Sequence, residues 1–274
     1  MSYINEQLKE FKKIIESAII KNGEKGKTSA IRSSKLINLI HDAVKYELIN
    51  HGVDSQCVFP HLNKSKPEIK LAGQLKQKDQ DICVVPKMIE KTPSIITWGP
   101  LSYQKEKDPY GFEYSNNTLV VNVRSQMSSL DKNSDTLFER TFAEALNLHM
   151  RYPDMVLGEV YLIPTHAYDD ALVKEKKVAF KTKSVNIEKY ISFFNAINNR
   201  KIGDEYYSYE RCALLIVDFN NEVPKLYSNN DELIKDNLIS KDFSIDYSTL
   251  SFDSFAKDII DIYSHRFDFS NISK

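Results

Sequence analysis

Apolar positions in the first fifty residues recur at helical spacing. Ile4, Leu8, Phe11, Ile15 and Ile19 fall on one stripe, which predicts an amphipathic helix up to the polar stretch NGEKGKT. A second helix is expected from about Thr28 or Ser29 to a glycine stop at Gly52, with Leu36, Ile40 and Ala43 on its apolar face. Glu47 continues that face, either at the rim of the stripe with its carboxylate in water or directed to a site. From Gln56 the pattern shortens to strand-like runs, QCVFPH, EIKLAG, DICVVP, SIITW and LVVNVRSQ, separated by Pro, Gly, Asn and Lys. Helical spacing returns from about Asp135 to Arg151, with Leu137, Phe138, Thr141, Phe142, Ala145 and Leu148 inward and Pro153 ending it. The run MVLGEVYLIP then reads as a buried strand. Together with LVVNVRSQ and the intervening helix it makes a βαβ unit, whose crossover places the two strands side by side and parallel. NIEKYISFFNAI and RCALLIVDF repeat this alternation, and two short helices are expected after Asn229. The pattern predicts an α/β fold, a mixed central sheet flanked by helices, over residues 1–274 as a single domain with helical additions at both ends.

Composition narrows the function only by exclusion. Hydrophobic residues make up 42% and charged residues 27%, and the formal net charge is -1, so global charge names no partner. Cys57, Cys83 and Cys212 sit in or beside apolar runs without CxxC spacing, as expected of reduced core residues in a cytoplasmic protein. The start MSYINEQLKEFKK lacks the apolar core of a signal peptide, and no uncharged apolar run is long enough to span a bilayer, so no membrane association is expected. GxGxxG, GxxxxGK[ST], GxSxG and HExxH are all absent. The six histidines, His41, His51, His61, His149, His166 and His265, show no metal-ligand spacing and read as surface or edge residues. His149 is then a cation at a helix C-terminus.

The remaining candidate chemistry is carboxylate-rich. In KQKDQDICVVP, Asp81 stands where a charged loop enters a buried strand, a costly place for a carboxylate unless a cation pairs with it; Asp79 reads as a surface neighbour. Alternation along LVVNVRSQ puts Asn122, Arg124 and Gln126 on one side, and the next helix carries Glu139, Arg140 and Glu144 within three turns. A polar strand end beside a solvated helix face would look the same.

The order of helix with Glu47, strand with Asp81, strand with a polar triplet, then helix packed back on the sheet resembles the PD-(D/E)xK core of type II restriction endonucleases. The segments KQKDQDICVVP and NVRSQMSSLDKNSDTLFERTFAEALNLHMRYPDMVLGEVYLIP carry the likeness, which spans roughly residues 30 to 165. Asn122-Val123-Arg124 replaces the usual Glu-x-Lys, and the literal Glu-Ile-Lys at Glu68–Lys70 precedes Asp81, in the wrong chain order. The resemblance implies a restriction-endonuclease-like fold and Mg²⁺-dependent hydrolysis of double-stranded DNA at a short specific site, by a homodimer. It implies Asp81, Glu139 and Glu47 as metal ligands, with Glu144 competing for the place of Glu139. Gln126 would take the role of the lysine, and Arg124 would hold the scissile phosphate. Base or phosphate contacts would come from the loop Lys105–Tyr114 and the basic stretch Lys174–Lys183. The alternative is a non-catalytic DNA-binding protein on the same fold.

Overall fold

The structure, a computed structural model, describes residues 2–130 and 134–274. The chain opens with α1 (Tyr3–Arg32) and α2 (Ser34–Asn50). All five positions of the first stripe are buried. The NGEKGKT segment bends α1 rather than ending it: Gly23 has φ 59° and ψ -135°, a conformation that costs a residue without Cβ little. The break to α2 comes at Ser33, whose extended backbone (φ -77°, ψ 146°) interrupts helical hydrogen bonding several residues later than the sequence pattern suggests.

The strands follow as β1 (Val58–Phe59), β2 (Ile69–Ala72), β3 (Gln77–Gln80), β4 (Ile82–Val84), β5 (Ser94–Ile95) and β6 (Lys107–Asp108). After α3 (Phe112–Asn116) come β7 (Leu119–Ser125), α4 (Ser134–His149) and β8 (Val156–Pro164). The hairpin strands β9 (His166–Tyr168) and β10 (Phe180–Ser184) enclose α5 (Asp170–Lys174). The chain continues through α6 (Ile187–Ala196), β11 (Arg211–Asp218), β12 (Lys225–Leu226), α7 (Asn230–Lys235) and α8 (Phe252–Arg266). A six-stranded mixed sheet, ordered β1-β4-β7-β8-β11-β12, forms the centre. β7, β8 and β11 run parallel, and β1, β4 and β12 extend the sheet antiparallel at its two sides. The expected βαβ unit is present, with Asn122 opposite Glu159 and Arg124 opposite Tyr161.

Alternation along the strands divides the core in two. Val121 and Val123 of β7 with Val160 and Leu162 of β8 face α1, α2 and α8. Val120 with Leu157, Tyr161 and Ile163 faces α4 and α6. All nine residues of β8 are buried, as expected of a central strand covered on both faces. Gly158 lets α8 approach closely, because a Cβ there would lie 2.7 Å from Ile259 Cδ1 and 2.8 Å from Phe255 Cζ.

Some expectations fail locally. SIITW yields only β5, which pairs with β6 away from the central sheet, and EIKLAG pairs only with β3 as a separate ribbon. Phe142 is exposed rather than inward, and α8 is a 15-residue helix rather than a short one. His149 is fully buried instead of exposed. Its Nδ1 lies 3.0 Å from Tyr206 O, and its Nε2 lies 3.3 Å from both Met155 O and a Glu210 carboxylate oxygen. Among the described residues no helix is long and apolar enough to cross a membrane.

Candidate functional site

The sheet gathers charged side chains where β4, β7 and β8 lie side by side under α4. Asp81 precedes β4 at the level of Asn122 and Val123, and its Oδ2 accepts a 2.9 Å hydrogen bond from the Val123 backbone N–H. That bond fixes one oxygen at the strand edge and leaves the other to the surroundings. Arg124, two residues further along β7 from Asn122, reaches α4. Its guanidinium donates to Thr141 Oγ1 and pairs with Glu144 through Nη2, while Nη1 lies 3.1 Å from Glu159 Oε1. Lys78 of β3 closes the outer side with a 2.7 Å ion pair to Glu144. Tyr209 forms the inner wall, its hydroxyl donating to Thr141 O at 2.8 Å.

Glu159 is the residue that sequence reasoning passed over. It stands on β8 directly across from Asn122, the position where the restriction-endonuclease pattern would have a carboxylate. Glu159 is 0% exposed and Asn122 1%. Neither side chain has a hydrogen-bond partner among the described residues, since Arg124 Nη1 approaches Glu159 outside hydrogen-bonding geometry. Burial pushes the Glu159 carboxyl up to about 8, outweighing the pull of Arg124, with Glu144 and Asp81 adding to the rise. A signal was present in the sequence: one acidic residue inside the otherwise apolar run MVLGEVYLIP.

The neighbouring groups divide by environment. Burial works against the Glu144 carboxylate, but Arg124 and Lys78 more than offset it and hold its pKa below the ordinary value. Burial likewise opposes charge on Arg124, while Glu159, Tyr209, Glu144 and Asp81 keep it firmly cationic. From α2, burial lowers the His41 pKa although the Asp81 charge pulls it upward, so its ring is neutral at pH 7. His41 Nε2 is buried without a partner among the described residues.

Of the residues singled out from the sequence, Asp81 and Arg124 belong to this cluster, with Glu144 rather than Glu139. Glu139 is exposed, with no hydrogen bond or ion pair among the described residues, because it lies on the outer side of α4. Glu47 lies at the half-buried rim of the α2 stripe. It is His41 that feels Asp81, and six residues separate the two along α2, roughly 9 Å of rise and about 240° of rotation. Gln126 is a structural hub. Its Oε1 accepts from Tyr161 OH at 2.9 Å and Tyr190 OH at 2.7 Å, and its Nε2 donates to Ser129 O, so its polar atoms are engaged within the core. Asp79 is exposed, as expected. Asp81, Glu139 and Glu47 do not form a common site, and among the described residues no three His, Cys, Asp or Glu side chains gather as a metal-holding group.

Comparison with protein-family models, with curated proteins and with solved structures finds no match for this chain. At this carboxylate edge one Asp81 oxygen is fixed by Val123 N–H, both Glu159 oxygens lack a hydrogen-bond donor among the described residues, Glu144 is held ionised, and Arg124 and Lys78 bring positive charge.

Proposed function

We propose that this protein is a Mg²⁺-dependent endonuclease of the PD-(D/E)xK type, hydrolysing phosphodiester bonds in double-stranded DNA at a short specific site as a homodimer. The observation that carries the reading is Glu159 buried beside Asn122, both without hydrogen-bond partners, at the level of Asp81. A buried carboxyl with no hydrogen-bond donor, and with only the misaligned Arg124 guanidinium beside it, is costly, and a bound cation is a partner that would ionise it and offset that cost. The strand order also supports the reading. Asp81 enters a strand antiparallel to β7, and β7 leads through α4 into a parallel neighbour, the connectivity the resemblance implies.

In this reading Glu159 supplies from the adjacent strand the carboxylate that Asn122 lacks. Asp81 and Glu159 are the residues that would hold Mg²⁺. When bound, Mg²⁺ supplies neutralisation of the phosphate and a more acidic water. Arg124 can exchange part of its pairing with Glu144 and Glu159 for a bidentate contact to a phosphate, the geometry its guanidinium favours. Lys78, exposed enough to meet solvent, adds positive charge at the mouth. Gln126 positions β7 against β8 and α6 and does not orient the nucleophile.

A second reading, a DNA-binding protein that does not cut, is favoured by one observation: Arg124 already bridges Glu144 and Glu159, filling the space between them. Incubating purified protein with supercoiled plasmid, with and without Mg²⁺, separates the two. Discrete, Mg²⁺-dependent fragments support the enzyme; a gel shift without cutting supports the binder.

A further inference from the structure

A groove lies beyond the carboxyl ends of the parallel strands β7 and β8, where open α/β sheets place their ligands. One of its hollows, about 560 Å³, is bounded by the last turns of α1, the loop after β7 and the β9–β10 hairpin. A second hollow, about 390 Å³, shares Ile31, Met127 and Ser128 with it and extends to Ser125 and Arg140, next to Arg124 in the chain. The groove thus leads toward the carboxylate edge.

Its charge is not that of the whole chain, which is close to neutral. Among the described residues the two hollows are lined by Lys27, Arg32, Lys181, Lys183 and Arg140 against Glu24 and Asp170. Asp170 is engaged by Lys27 at 2.7 Å and Lys181 at 3.0 Å, an ion-pair bridge from α1 to the hairpin. Arg32, Lys183 and Arg140 are exposed and form no ion pair among the described residues. Thr28, Ser128, Ser129 and Ser184 place hydroxyl donors between these cations. Three free cations and a row of donors along an open channel suit a ligand with repeated, singly charged acceptor groups. From Glu24 to Arg32 the helical wall runs roughly 12 Å, the axial span of about four phosphates at 3.4 Å per phosphate on one strand.

We propose that this groove binds the sugar–phosphate backbone of a nucleic-acid strand, with Arg32, Lys183 and Arg140 as its phosphate contacts. It would hold the strand beside the carboxylate edge. The identity of the ligand rests on the nucleic-acid reading above; the anionic character of the site rests on the groove alone. Lys181 and Lys183 give a structural place to part of the basic stretch Lys174–Lys183, and Arg32 and Arg140 are added by the fold.

The test is fluorescence anisotropy of a labelled DNA duplex in EDTA, where no cleavage can occur, comparing wild type with R32A/K183A. Both side chains are exposed, so the variant keeps the wild-type fold, checked by far-UV circular dichroism. The expected result is a loss of roughly tenfold or more in affinity at about 0.1 M salt, with the slope of log K against log salt reduced by about 2. Asp81→Asn is expected to bind as wild type does. Unchanged affinity and slope in R32A/K183A would overturn the groove assignment, as would equally tight binding of poly-L-glutamate at matched charge. Normal binding by Asp81→Asn with unimpaired cleavage would count against the carboxylate edge and leave the groove standing.

Discussion

Replacing Glu159 by Gln tests the electrostatics of the candidate site without removing side-chain volume. The buried carboxyl titrates at about 8 in the folded chain, against an ordinary value of 4.5. Between those values the folded state holds a proton that the unfolded state has lost, so stability falls as pH rises through this window. At about 1.4 kcal/mol per unit, the group withdraws roughly 4 kcal/mol of stability between about pH 5 and pH 8.5. Gln cannot ionise and lacks this dependence, while Arg124 keeps its pairing with Glu144. The Gln variant is therefore expected to gain on wild type by about 4 kcal/mol over that interval. Urea unfolding followed by circular dichroism at the two pH values measures the difference, provided the slopes match. Parallel pH profiles for the two proteins would refute the reasoning, because they would mean that Glu159 is ionised, and compensated, throughout.

Three further outcomes follow from the contacts. Gln126→Leu leaves the Tyr161 hydroxyl without its acceptor and takes one acceptor from the Tyr190 hydroxyl, so a loss of about 2–4 kcal/mol is expected in the same unfolding assay; a neutral result would contradict the hub role. Glu210 is fully buried and binds Arg200 at 2.7 Å, Arg266 at 2.8 Å and the Leu157 N–H at 2.7 Å. Although burial opposes its charge, His149, Arg266 and the Leu157 N–H hold its carboxyl at about 2, so its contribution is complete above the ordinary carboxylate range and is lost as pH falls toward 2. Glu210→Gln should cost about 3–5 kcal/mol at pH 7 and much less near pH 3, measured by thermal or urea unfolding. Glu139→Ala, on the exposed side of α4, should leave plasmid cleavage within about twofold of wild type and stability within about 0.5 kcal/mol.

The elements legible in the sequence are those whose periodicity is enforced by burial. The Ile4–Ile19 stripe, LVVNVRSQ, MVLGEVYLIP and RCALLIVDF all pack as expected because each has one face or two in a core. Boundaries without such enforcement shifted: Ser33 sets the α1–α2 break through its backbone, and SIITW lost its place in the sheet because β5 is exposed. Within the site, strand alternation placed Asn122, Arg124 and Gln126 on the right face but could not show that Tyr161 and Tyr190 would occupy Gln126. Helical spacing could not decide between Glu139 and Glu144, since the choice depends on where Arg124 and Lys78 reach. The role of Glu159 and the burial of His149 escape the sequence pattern for one reason. A lone polar residue in or beside an apolar run carries little periodic signal, and its partners come from segments distant in the chain.

In the proposed function Asp81 and Glu159 together form the hydrolytic edge. Digestion of supercoiled plasmid by wild type, Asp81→Asn and Glu159→Gln, each with Mg²⁺ and with EDTA, tests it most directly. Wild type is expected to give discrete fragments only with Mg²⁺, and each variant to lose at least about a hundredfold in rate while still binding DNA in EDTA. Cleavage by either variant at the wild-type rate, or fragments from wild type that persist in EDTA, would contradict it.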